Sequence, residues 1–211
     1  IYPWLRDHAD DPAVADAIAA TIAEARLAAD ASAGDVAAVM LQWMDDDVKA
    51  TPLKTVQGQI WAAGFADGEL EPHFFDDVEP AMRSWRDAGL GLAVFSSGSV
   101  EVQRPWFARG LPDVAAGIDA HFDTVNAGNK RVAASYETIA ADLGPRWSST
   151  PAQLVFLSDV PAELDAAAAA GWQTIGVRRA GEPNGAVDFG AHRVVDSFAA
   201  LDLEPTLEHS P

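Results

Sequence analysis

Three short apolar runs, each followed by a turn and then a helix-forming stretch, constrain this chain more than any other feature. They are GLAVF (91–95), HFDTV (121–125) and LVFLS (154–158), with QTIGV (173–177) and HRVV (192–195) as the last two strand candidates. The intervening segments carry helical signals. VEPAMRSWRDAG closes at Gly89, a helix follows from about Ser99, NKRVAASYETIAADLG ends at Gly144, and PAELDAAAAAG has Pro161 near its first position and Gly171 at its C-terminal cap. Strands that alternate with helices need crossover connections, which place them parallel in one sheet with helices on its faces. The expected fold class is α/β. The strand runs are nearly continuous in apolar residues, as strands buried on both faces are.

The first third has no strand pattern. Asp11-Pro12 is an N-cap and first-turn pair, followed by Val14, Ile18 and Ile22 at four-residue spacing. A second helix is expected over 35–46 with Val36, Val39, Met40 and Trp43 inward. A third opens at Thr51-Pro52 with Leu53, Val56 and Ile60 on one face and Gly64 near its end. Trp43 and Trp61 are read as core packing ahead of a pocket lining, and the Asp45-Asp46-Asp47 run as a solvated helix end ahead of a cation site. The chain therefore divides into a helical piece, 1–71, and an α/β piece, 72–211.

In open α/β sheets, ligands sit at the carboxyl ends of the strands. That rule selects three places. Ser96, Ser97 and Gly98 leave the first strand and enter a helix; hydroxyls and backbone N–H groups there suit an anion, although a Ser-Gly turn capping a helix is an equal reading. Lys130, one of three lysines with Lys49 and Lys54, is placed near a helix start, where the helix dipole disfavours a cation. A bound anion would explain it, and so would reach into solvent. Asp159 ends the third strand, where a hard oxygen ligand suits Mg²⁺ held by one or two carboxylates, water and phosphate. The alternative is a cap on the helix beginning at Pro161. Glu163, one turn on, is placed near the same edge, and Asp165 is expected to face elsewhere. Together, hydroxyl, ammonium and metal-binding carboxylate are the means of holding a phosphoryl group and neutralising its charge during transfer.

Composition narrows the partners. Lys+Arg number 14 against 32 Asp+Glu, a net charge of −18. A field of that sign argues against nucleic acid and anionic membrane, whose binding depends on Lys and Arg. The absence of cysteine removes disulfides, thiolate metal sites and a cysteine nucleophile. The five histidines show no metal-ligand spacing and are read as structural or surface. No apolar run approaches the roughly 20 residues of a membrane span, and a cytoplasmic, monomeric protein acting on a small molecule is expected.

FSSGSV (95–100), FDT…GNKRVAASY (122–136) and FLSDVPAELDAA (156–167) resemble motifs II, III and IV of haloacid dehalogenase-like phosphatases. More specifically they resemble the enolase-phosphatase, or acireductone synthase, family of methionine salvage. WMDDDVKATPLKTVQGQIWAAGF (43–65) is similar to that family's helical cap, and the likeness runs from about Ile1 to about Phe198. The resemblance implies a Rossmann-like core, 72–211, with a cap, 1–71. It implies a Mg²⁺-dependent enzyme that enolises 2,3-diketo-5-methylthiopentyl-1-phosphate and then removes the phosphate to give acireductone. Ser96 and Ser97 would bind the substrate phosphate, Lys130 would anchor it, and Asp159 would bind Mg²⁺. The alternatives are another phosphatase or a dehalogenase of the superfamily, and a non-catalytic phosphate-binding module.

The sequence departs from the family in one place. The first motif, a strand ending in Asp-x-Glu-Gly-Thr whose Asp is the nucleophile, is not among these 211 residues. IYPWLRDH matches the family's stretch just C-terminal to that motif, so the nucleophile is expected upstream of Ile1. That strand would lie between those at 91–95 and 154–157. Without it these would stand about twice the usual 4.8 Å apart. Each unpaired buried polar group on their edges would cost on the order of 1–3 kcal/mol.

Overall fold

The computed structural model describes residues 1–46, 48 and 50–204. Asp47, Lys49 and His209 therefore lie outside the described residues. The chain forms two compact units, Ile1–Glu71 and Pro72–Pro211.

The first unit is all helix: α1 (Tyr2–Asp7), α2 (Pro12–Glu24), α3 (Ala33–Asp45) and α4 (Thr51–Ala66). Asp11 caps α2 by accepting from the amides of Ala13 and Val14. α3 begins two residues before the expected start because Ser32 and Asp35 form a reciprocal capping box, which makes Asp35 the third residue of the helix rather than its first. The inward faces of the four helices meet in a core that includes Leu5, Val14, Val36, Met40, Leu53 and Val56. Trp43 packs on that core, whereas Trp61 is 44% exposed, contrary to its expected burial.

The second unit is α/β: α5 (Val78–Asp87), β1 (Ala93–Phe95), α6 (Val100–Gly110), α7 (Pro112–Ala115), β2 (Ala120–Phe122), α8 (Ala133–Trp147), β3 (Val155–Ser158), α9 (Pro161–Ala169), β4 (Gln173–Val177) and β5 (Arg193–Val195). All three strand pairings are parallel, as the alternation requires. They fall into two sheets, β1-β2 and β3-β4-β5, and among the described residues no ladder joins β1 to β3. Side chains span the interval instead. Tyr136 of α8 is fully buried and meets Phe95 of β1 and Phe156 of β3 edge-on, with ring centroids 5.6 and 5.0 Å away.

α8 starts four residues later than expected. Asn129 takes the Arg131 amide on its side chain and the Val132 amide on its carbonyl, which turns the chain before the helix can begin. Lys130 therefore lies in a turn ahead of the helix rather than in its first residues. α8 also runs past Gly144 and stops at Ser148, whose φ of 51° is left-handed.

Candidate active site at the carboxyl ends of β1, β2 and β3

The loop after β1 is held by buried polar groups. The Ser96 amide continues the ladder onto Phe122 O (3.0 Å), and the Ser96 hydroxyl accepts from the Gly98 amide (3.1 Å). Gln103 of α6, 5% exposed, donates to Gly98 O and Phe122 O, both at 2.8 Å. Its side-chain oxygen lies 3.2 Å from His121 Nδ1. Burial and the nearby Arg104 guanidinium hold the His121 pKa below its ordinary value. Ser97 is exposed, and its hydroxyl has no partner among the described residues.

Asp123, 6% exposed, ends β2 and carries three amides. Its Oδ1 accepts from Val125 and Asn126 (2.8 and 3.0 Å), and its Oδ2 accepts from Val100 at the start of α6 (2.9 Å). One of the α6 donors that suited an anion is thus already taken. The sequence places FDT within a motif, yet motif and spacing alone give Asp123 no role. Its signal is an acid at a strand tip, the same one that selects Asp159.

Lys130 is drawn inward. Its backbone carbonyl accepts from the Tyr136 hydroxyl (2.7 Å), and its Nζ lies 5.7 Å from the ring centroids of both Phe95 and Phe156. The ammonium is therefore placed in the interval between β1 and β3. Its partner is Glu163 Oε2 at 2.6 Å, with side-chain exposures of 19% and 11% for the pair. The same oxygen accepts from the Ser158 hydroxyl (2.8 Å), which in turn accepts from the Val160 amide (3.1 Å). Desolvation, reinforced by the Glu163 charge, pushes the Tyr136 phenol above its ordinary range. A half-buried ammonium flanked by aromatic faces and one carboxylate is a strong anchor for an anion that can displace or share that carboxylate.

Asp159 lies just past β3 and is exposed. It does not cap α9: the cap position is Val160, and no side-chain cap bond is made there. Its Oδ2 accepts from Asn184 Nδ2 at 3.0 Å. Asp165 faces elsewhere, 3.0 Å from His192 Nε2, while His192 Nδ1 lies 2.7 Å from the Thr174 hydroxyl.

The structure thus brings Lys130 into line with the ends of β1 and β3. It links Lys130 through Glu163 and Ser158 to the residue before Asp159, and sets Ser96 and Ser97 one and two residues beyond Phe95. Among the described residues no group of three acidic, histidine or cysteine side chains could hold a metal by itself. An exposed carboxylate at this edge fits a hard divalent cation whose remaining ligands are water and phosphate oxygens. Glu163 is committed to Lys130.

The chain is 54% identical over 203 residues to enolase-phosphatase E1 of Saccharopolyspora erythraea, covering 96% of this chain and 83% of that protein. It is 50% identical over 206 residues to enolase-phosphatase E1 of Frankia alni, with the same coverage. Against enolase-phosphatase E1 of Streptomyces avermitilis it is 48% identical over 213 residues, 96% of this chain and 87% of the relative. Among solved structures it is similar to the UTR4 protein of Saccharomyces cerevisiae, with a TM-score of 0.69, 25% identity, and coverage of 95% of this chain and 90% of that one. A dehalogenase at TM-score 0.53 and 14% identity, covering 94% and 88%, shares the fold. No protein-family model matches.

Proposed function

This chain belongs to the enolase-phosphatase E1 family, and from that premise we propose that it serves the conversion of 2,3-diketo-5-methylthiopentyl-1-phosphate to acireductone and phosphate. The observation that carries the reading is the Lys130 ammonium, held between the ends of β1 and β3 by Glu163, which also takes the Ser158 hydroxyl one residue before the exposed Asp159. Family membership implies a divalent metal, and Mg²⁺ is the ion proposed, with Asp159 as its protein ligand. When bound it would supply positive charge to the phosphoryl oxygens.

The remaining work falls to the chain's own groups. Lys130 binds and orients the phosphate, and Ser96 and Ser97 donate to its oxygens as charge shifts toward the leaving oxygen. Glu163 holds the ammonium in place before substrate arrives. The 1–71 unit acts as a cap and the 72–211 unit as the catalytic core. The attacking carboxylate is expected on a strand ahead of Ile1. The separation of β1-β2 from β3-β4-β5 supports a place for that strand between them. No helix among the described residues is long and apolar enough to cross a membrane. A monomer at work in the cytoplasm is proposed.

The test monitors acireductone absorbance and released phosphate for the chain extended upstream by its strand and for the 211 residues alone. Mg²⁺-dependent release by the extended chain, abolished in Asp159→Asn, is expected. Release that survives both chelation and Asp159→Asn overturns the assignment. A chain that binds the phosphate ester and never turns it over, even when extended, would be a phosphate-binding module instead. Lys130→Ala is expected to weaken phosphate handling; a loss confined to enolisation would reject its role.

A further inference from the structure

The loop from β4 to β5 is held at both ends by side chains. Arg179 anchors its start: the guanidinium reaches Asp77 Oδ2 (2.8 Å) and Asp196 O (3.2 Å), and lies 4.5 and 5.1 Å from the rings of Phe75 and Phe198. Phe189 anchors its end at 2% exposure, seated where β4 carries Gly176; a Cβ there would stand 2.5 Å from the Phe189 ring. Between the anchors run three successive turns, Glu182 onto Arg179 O, Gly185 onto Glu182 O and Val187 onto Asn184 O. Gly185 lets the turn close, since a Cβ would meet Arg179 O at 2.5 Å. Among the loop's half-buried residues is Asn184, which donates to Asp159 Oδ2 at 3.0 Å.

We propose that Asn184 is a positioning residue that fixes the Asp159 carboxylate, holding Oδ2 so that Oδ1 is presented to a divalent cation. This rests on the reading of Asp159 as the metal ligand. Asp159 makes no helix cap and is exposed, so nothing else among the described residues restrains its rotation. An anchored carboxylate loses less rotamer freedom on binding a cation, and hydrogen bonds to ligating carboxylates tune affinity for that reason. A carboxamide suits the task because it donates without adding a charge that would compete for the ion.

The experiment titrates Mn²⁺, a hard divalent probe, into the chain extended upstream by its strand, by electron paramagnetic resonance and calorimetry, with thermal midpoints measured on metal-free protein. Asn184→Ala should weaken Mn²⁺ binding about 10–100-fold with the metal-free midpoint unchanged. Asn184→Gln, which keeps the donor on a longer arm, should fall between. Gly185→Ala, which displaces the turn with Asn184 intact, should also weaken binding. Parental affinity in Asn184→Ala, alongside loss in Asp159→Asn, overturns the positioning role alone. Parental affinity in Asp159→Asn, or no Mn²⁺ uptake by the parent chain, overturns the metal reading as well. A weakening matched by an equal fall in metal-free stability in both Asn184 variants would make the contact merely structural and sink the proposal.

Discussion

The two units bury different things. In the helical unit the only buried polar side chain among the described residues is Thr21, whose hydroxyl returns to Ala17 O within its own helix at 2.8 Å. The α/β unit buries Gln103, Asp123, Ser135, Ser158 and Glu163, each bonded to a different element or loop. Burying a polar group is costly unless it is fully partnered, so a unit that does so repeatedly at one sheet edge is organised around more than stability. The helical unit has an apolar interior, with Trp4 Nε1–H donating to Gln59 Oε1 at 3.2 Å at its margin. The α/β unit spends part of its interior on an ion pair and on one amide-binding carboxylate, Asp123, at the strand ends.

That contrast can be tested from its largest effect downward. Asp159→Asn should cut Mg²⁺-dependent phosphate release by about a thousandfold or more, equivalent to ~4 kcal/mol, while far-ultraviolet circular dichroism stays unchanged; a surviving rate would erase the functional half of the contrast. Leu5→Ala should destabilise the helical unit by about 2–5 kcal/mol through the cavity it leaves. It should leave Mn²⁺ affinity within about twofold, because Leu5 belongs to the core of the helical unit and shares no partner with Asp159. A large loss of affinity would show that the units are not separable in this way.

Glu163→Ala leaves a largely buried ammonium unpaired and should cost about 3 kcal/mol, a fall of roughly 6–12 °C in midpoint for a chain of this size. Replacing both Lys130 and Glu163 by Met should recover most of it. If the double variant is no better than the single one, the pair is not the cause.

The smallest effect is pH dependence at Asp77. Burial pushes its carboxyl up, but the Arg179 guanidinium, the Ser197 hydroxyl and the Phe198 amide outweigh burial and bring the pKa down to about 2. A carboxyl depressed in the folded state adds stability above its unfolded pKa and loses it as the pH falls from about 4 through about 2. After allowance for solvent screening the loss should be about 1 kcal/mol. Urea unfolding of parent and Asp77→Asn should converge at low pH; curves that stay parallel would contradict it.

Much of the fold was legible because it is written in local periodicity. Alternating strands and helices predicted the parallel pairings, and QTIGV coincides with β4 residue for residue. Caps and turns were less legible. The late start of α8 depends on an Asn129 side chain competing for backbone amides, and the early start of α3 on a reciprocal cap, neither of which apolar spacing reveals. Ser96, Ser97, Lys130 and Asp159 were selectable because residue type at a strand tip is itself a signal.

The sequence by itself determined which residues end the strands and which of them carry charge, hydroxyl or acid. Only the tertiary structure decided the partners. Glu163 answers Lys130, Asp123 reaches across to the start of α6, Asn184 steadies Asp159 from 25 residues away, and Arg179 meets Asp77 across 102. The physical reason is that a strand's tip is set by its own residues, whereas the groups that stand beside that tip are set by strand order and by loops packed from elsewhere in the chain.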